Sequence, residues 1–172
     1  MKKTIFVFGV ISGLISSVLM LATLPFAHRI GFDRSMFVGY TVIVASMLLV
    51  FFGIKSYRDN HGGHISFGKG FAIGIAITLI SCVFYVVTWE VMYFKFMPNF
   101  VDDYGAYLIQ KMQASGATQA AIQSKIEEMK HLKAMYNDPL TNAAMTFIEP
   151  FPVGFGITLI SAVLLRRKEQ AP

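Results

Sequence analysis

Phe147-Ile148-Glu149-Pro150-Phe151-Pro152-Val153-Gly154 lies inside the last long apolar run of the chain, Leu140 to Leu165. Two prolines, a carboxylate and a glycine stand where an uninterrupted membrane helix is expected. Neither proline supplies an amide donor, and neither fits a regular helix interior. From Pro152 to Leu165 the chain covers only about 21 Å at helical rise, too little to cross a hydrocarbon layer of about 30 Å. Leu140 to Ile148 must supply the remainder. The fourth span is therefore expected to break or kink at Glu149, with Pro150 and Pro152 marking the break. Non-helical backbone at that depth has to be buried in protein or line water. The alternative puts the prolines in the first turn of a short helix, where proline is tolerated.

Three further apolar runs precede it: Thr4 to Ala27, Ser35 to Ile54 and Gly70 to Phe94. Apolar residues make up 55% of the 172-residue chain and charged ones 15%, against about 25% charged in soluble domains. A chain this short cannot hide so much apolar surface in a water-soluble core. The composition therefore predicts an all-α, polytopic membrane protein, a single membrane domain of four transmembrane helices. The first run follows Lys2 and Lys3 as a signal peptide would. It is longer than a signal core, and Pro25-Phe26-Ala27 makes a poor cleavage site, so it is read as a retained span.

Between the third and fourth runs the chain turns polar. Pro98 ends the third helix. Tyr104, Tyr107, Leu108 and Met112 repeat at helical spacing, Gly116 offers a left-handed stop, and Thr118 can cap a second helix carrying Ile122, Ile126, Met129, Leu132 and Tyr136. An amphipathic helical hairpin over about residues 99–137 is expected.

The net charge is +5, but the basic residues cluster at the ends of apolar blocks and form no nucleic-acid patch. Lys2, Lys3, Lys55, Arg58, Lys69, Arg166, Arg167 and Lys168 fall on one side of a four-span arrangement, Arg29 and Arg34 on the other. By the positive-inside rule both termini are cytoplasmic and the hairpin external. The expected location is the bacterial inner membrane. Cys82, alone in an apolar block, can form no intramolecular disulfide and reads as a packed small side chain.

Two small-residue ridges can serve as helix contacts: Gly9, Gly13 and Ser17, and Gly70, Gly74 and Thr78. Ile77-Thr78-Leu79-Ile80-Ser81 recurs as Ile157-Thr158-Leu159-Ile160-Ser161, each with a glycine three residues earlier. Two antiparallel helices sharing a motif hint at an inverted repeat, although five residues of common membrane types also recur by chance.

The candidate polar site follows from depth. Glu90 lies about 30 Å from the cytoplasmic start of the third span and Glu149 about 24 Å from the cytoplasmic end of the fourth. Both come near the outer membrane edge, level with His28 and Arg29. A carboxylate there needs a partner or water, so Glu90, Glu149, Arg29 and His28 are expected as a polar cluster, either a cavity for a proton, cation or headgroup, or a structural ion pair.

Other motifs are weak. Gly63 to Lys69 matches G-x-x-x-x-G-K, but Gly70 replaces the hydroxyl residue and no strand precedes it, so the glycines are read as a turn and Lys69 as a surface anchor. His61 and His64 supply two imidazoles where a stable site needs three or four ligands. No metal, no cofactor and no catalytic residue is expected, and no nucleic-acid partner.

Gly53-Ile54-Lys55-Ser56-Tyr57-Arg58-Asp59-Asn60, Ile65-Ser66-Phe67-Gly68-Lys69-Gly70-Phe71, Trp89-Glu90, and Glu149-Pro150-Phe151-Pro152-Val153-Gly154 with Thr158-Leu159-Ile160-Ser161 and a basic end together resemble domain-of-unknown-function family 4199. The resemblance spans nearly the whole chain. It implies a four-span bacterial inner-membrane protein and supplies no activity, substrate or catalytic residue.

Two function classes follow, neither an enzyme. One is an accessory or scaffold component of the cell envelope, with the hairpin as docking surface for a protein partner. The other is a small carrier or ion/proton-coupled transport component using Glu90 and Glu149, which would need a homo-oligomer. The first is preferred on sequence, because only two acids lie near the membrane and both sit at its edge.

Overall fold

The computed structural model describes residues 1–24 and 31–167. Among them the chain is all-α: α1 (Lys2–Thr23), α2 (Phe32–Asp59), α3 (Phe67–Val91), α4 (Phe100–Ala114), α5 (Gln119–Asn137), α6 (Pro139–Ile148) and α7 (Pro150–Leu165). Four helical stretches are long and apolar enough to cross a membrane: Lys2–Thr23, Phe32–Asp59, Phe67–Phe96 and Pro139–Leu165. The second and third outrun their apolar blocks, because backbone hydrogen bonding carries α2 on through its polar end to Asp59 and starts α3 at Phe67.

The distribution of side chains is that of a bundle in lipid. Phe6, Val18, Phe37, Phe52, Ile160 and Leu164 are exposed, while Ser12, Ser16, Ser46, Thr78, Ser81, Thr158 and Ser161 are buried. Small hydroxyl residues let helix backbones approach, and their hydroxyls bond across the gap instead of facing hydrocarbon. Ser12 Oγ donates to the Ser46 carbonyl at 2.8 Å and lies 3.0 Å from Ser81 Oγ, which ties α1, α2 and α3 at one level. Thr88 donates to Ser17 at 2.7 Å.

α3 is the central helix. A Cβ on Gly9 would meet Ile80 at 2.8 Å, and one on Gly13 would meet Phe84 at 2.6 Å. With the Ser17–Thr88 bond, the first small ridge thus lies along α3, and α1 runs parallel to it. α7 packs antiparallel on another face. A Cβ on Gly74 would meet Thr158 Cγ2 at 2.6 Å, and one on Gly154 would collide with Thr78 Cγ2. Thr78 and Thr158 face each other with their hydroxyls 3.3 Å apart. The two copies of the echoed motif therefore form one reciprocal crossing, each glycine receiving the other helix's threonine.

At the basic end, Ile65 and Arg167 exchange two backbone hydrogen bonds of 3.2 and 3.0 Å, which pins the end of α7 beside the start of α3. Ser66 caps α3 by accepting from the Lys69 amide. Helix thus begins before Gly68-Lys69, and the G-x-x-x-x-G-K stretch runs from a turn with Gly63 at positive φ into the capped first turn of α3.

At the other end α3 passes through a π-type turn, Met92–Phe96, closed by the Met97 amide on the Met92 carbonyl at 2.8 Å. α4 and α5 follow, separated by a turn with Gly116 at φ 74°. Thr118 caps α5 by accepting from the Ala121 amide. The apolar face of this pair is spent on the bundle. Phe32 of α2 packs against Phe100, Tyr104 and Tyr107, with centroids 6.0, 5.4 and 5.3 Å away. Val101 and Met129 are buried with Tyr93. Asp33 holds α4 from below, accepting from Lys111 at 2.6 Å and Tyr107 at 2.9 Å. Lys133 of α5 bonds Asp102 of α4 at 2.6 Å.

Candidate functional site: a covered aromatic chamber

The fourth span divides at Glu149. α6 stops at Ile148 and α7 opens on Pro150, yet Glu149 itself keeps right-handed helical angles (φ −69°, ψ −58°). The junction is thus a helix-to-helix join and not a stretch of extended chain. Its amide reaches the Thr146 carbonyl at 3.4 Å. Prolines at 150 and 152 remove the next donors. Both fall in the first turn of α7, the one helical position where a missing amide costs little. The carboxylate is therefore presented at the start of α7, where amide groups are least engaged.

Glu149 Oε2 accepts a hydrogen bond of 2.9 Å from Tyr85 of α3. Both line a cavity of about 240 Å³ between α2, α3 and the hairpin, whose wall also includes Tyr40, Trp89, Tyr104 and Tyr136. A second cavity of about 80 Å³ shares Tyr85 and Trp89 with it. Met36 and Tyr40 line the larger cavity and are about half exposed (51% and 52%), so this side opens toward the surroundings of α2.

The wall is held by a polar knot. Asn142 of α6 is fully buried. Its amide donates to the Tyr136 carbonyl at 2.9 Å, and its oxygen accepts from the Trp89 indole at 2.9 Å and the Thr146 hydroxyl at 3.2 Å. One side chain thus locks α3, α5 and α6 together and fixes the indole plane. Trp89 and Tyr136 meet at 81° with centroids 6.3 Å apart, an aromatic corner. Burial holds the Tyr136 phenol up at about 12, so it stays protonated throughout the neutral range.

Of the residues proposed from sequence, Glu149 lines the chamber and Glu90 is not on its wall. Glu90 is half-buried, and its Oε1 has no hydrogen-bond partner among the described residues. His28 and Arg29 lie outside the described residues. Glu149 forms no ion pair among the described residues; its partner is the Tyr85 hydroxyl. Tyr85 and Asn142 carry no motif and were not legible as site residues. At the basic end, His61 stacks on Tyr57 at 3.9 Å and its Nδ1 lies 2.8 Å from the Tyr57 carbonyl, so one ring nitrogen is already engaged.

Searches of curated proteins and of solved structures gave no match. The model of a family described as a protein of unknown function, DUF4199, matches residues 7–167, and the chain belongs to that family.

Proposed function

We propose that this protein is a small carrier-type binding component of the bacterial inner membrane, with its basic end in the cytoplasm. Its working site is the open chamber walled on one side by the hairpin, with Glu149 exposed in it. The observation that carries this reading is the placement of one carboxylate, bonded among the described residues to a phenol and not to a cation, on the wall of a 240 Å³ cavity. A structural ion pair would need no cavity. The hairpin speaks for the same reading: its apolar face covers the bundle, which removes the surface that a docking role would have used. The basic end, with Lys2, Lys3, Lys55, Arg58, Lys69, Arg166 and Arg167, supports the orientation.

Proteoliposomes enclosing a pH-sensitive dye test the reading. Gradients of choline, sodium or acetate are imposed in turn. At least one gradient should drive a protein-dependent flux that Glu149→Gln abolishes. If none does, the protein is not a carrier. A C-terminal reporter that proves external would overturn the orientation.

A further inference from the structure

The chamber wall has an unusual charge balance. Among the described residues it holds one charged group, Glu149, and no lysine, arginine or histidine. Among the described residues an anion has no partner there. A hard metal cation fares no better, because a single carboxylate and a few phenol oxygens cannot replace its shell of six or more oxygens. Nor do the described residues gather three His, Cys, Asp or Glu side chains anywhere.

Half of the remaining lining is aromatic, with Tyr40, Tyr85, Trp89, Tyr104 and Tyr136 among it, and the other half is aliphatic or small. Aromatic faces attract weakly hydrated cations through the ring quadrupole, tryptophan best of all. Trp89 is held by Asn142 and stands at 81° to Tyr136, so two walls of a cage are preset before any ligand arrives. Glu149 supplies the formal charge, and the Tyr85 hydroxyl orients its carboxylate. A volume of 240 Å³ corresponds to about eight waters of liquid. That fits a headgroup-sized ion and excludes a whole lipid.

From this juxtaposition we infer that the chamber binds a small organic cation, a quaternary or primary ammonium group, caged by Trp89, Tyr136, Tyr104 and Tyr40 and neutralised by Glu149. The inference rests on the chamber being the working site, but not on transport. The half-exposed rim at Met36 and Tyr40 admits the group either as a free solute or as the headgroup of a neighbouring lipid.

Trp89 is the chain's single tryptophan, so intrinsic fluorescence reports the chamber directly. The full-length protein in nanodiscs of phosphatidylglycerol is titrated with choline, and separately with 3,3-dimethylbutan-1-ol, its uncharged carbon isostere. Choline should change Trp89 emission saturably and the isostere should not. Glu149→Gln should weaken choline binding at least tenfold and Tyr136→Leu several-fold. Gly156→Ala, outside the chamber and with nothing within 4 Å of the added Cβ, should leave choline binding unchanged, which controls for handling and folding. In nanodiscs containing phosphatidylethanolamine or phosphatidylcholine, a choline curve shifted to higher concentration identifies the lipid headgroup as occupant, and an unshifted curve identifies a free cation. Equal response to choline and its isostere, no saturable response, or unchanged affinity in a folded Glu149→Gln protein overturns the inference. Saturable binding without flux in the proteoliposomes would sink the carrier reading alone. Flux of sodium or acetate without choline binding would sink the cation alone.

Discussion

Adding one methyl group to α7 should separate two neighbouring glycines. Gly154 and Gly156 sit two residues apart in α7. A Cβ at 154 collides with the Thr78 methyl and comes within 3.0 Å of Met47 Sδ, whereas a Cβ at 156 meets nothing within 4 Å. Helix propensity favours alanine over glycine by about 0.8–1 kcal/mol at either place. Overpacking a close-fitted interface costs about 1–3 kcal/mol. Gly156→Ala should therefore be neutral or stabilising, and Gly154→Ala less stable than it by about 1–3 kcal/mol. The crossing is reciprocal, so Gly74→Ala, whose Cβ would sit 2.6 Å from Thr158 Cγ2, should behave like Gly154→Ala. Rescue is position-specific. Thr78→Ser removes the methyl opposite Gly154 and keeps the hydroxyl that faces Thr158, so it should restore Gly154→Ala but not Gly74→Ala. Thr158→Ser should do the converse. Reversible denaturation in mixed micelles reads each variant, and double-mutant cycles should give coupling of about 0.5–3 kcal/mol for the matched pairs only. Equal stability of Gly154→Ala and Gly156→Ala, or rescue by either serine indiscriminately, would refute the reciprocal crossing.

Asn142→Leu strands the Trp89 indole N–H and the Tyr136 carbonyl in a buried setting. It should cost about 1–3 kcal/mol for each stranded group, read from the denaturation midpoint with a shift in Trp89 emission; an unchanged midpoint would show that the knot is not structural. Asp33→Asn weakens the shared acceptor of Lys111 and Tyr107, so amide exchange in α4 should accelerate while α1 is unaffected. Asp138 caps α6, and the Thr141 hydroxyl, then its amide, hold the Asp138 carboxyl below the usual carboxylate range. A lowered folded-state value means that its contribution is complete above about pH 4, the ordinary carboxylate value, and fades as pH falls through the folded value. Below pH 4 the wild-type thermal midpoint should drop more steeply than that of Asp138→Asn; parallel profiles would rule the cap out as the source.

Four membrane-length helices were legible because apolar length alone decides them: Ser35 to Ile54 lies inside α2, and Gly70 to Phe94 runs through α3 into the π-type turn, while the end of the first run, residues 25–27, lies outside the described residues. The hairpin's Gly116 and Thr118 were legible for a different reason, since turn and cap chemistry is local. The site was half legible. Glu149 announced itself by standing in an apolar run, but Glu90 was grouped with it on depth alone. Depth uses only the rise along a helix. The turn of about 100° per residue adds the other coordinate. Five residues separate Tyr85 from Glu90, which puts them about 140° apart around α3, so only one of them can face α7. Tyr85 has no such anomaly to reveal it. Its partner is 64 residues away, and only the antiparallel register of α3 on α7 brings them together. The same register turns the five-residue echo from a resemblance between strings into a contact between Gly74 and Thr158 and between Gly154 and Thr78.

The prolines and the chamber are one device. A carboxylate in the middle of a continuous membrane helix would present its side chain from a fully bonded backbone, with no local group to offset its charge. Pro150 and Pro152 instead start a new helix at Glu149, which closes α6 and opens α7, so the opposed dipole ends of the two helices meet there and the carboxylate takes its hydrogen bond from Tyr85. Their missing amides cost nothing there, because first-turn amides have no intrahelical acceptor. Pro150 is buried, which anchors the join. α6 carries Asn142 against Trp89 and Tyr136. The join thus aims the carboxylate at Tyr85 and builds the aromatic corner beside it. Replacing both prolines by alanine tests the coupling. If the device works as argued, α6 and α7 should merge, the Asn142–Trp89 bond should be lost, and Trp89 emission should shift even without ligand. Unchanged emission and unchanged choline affinity would mean that Glu149 needs no join to do its work.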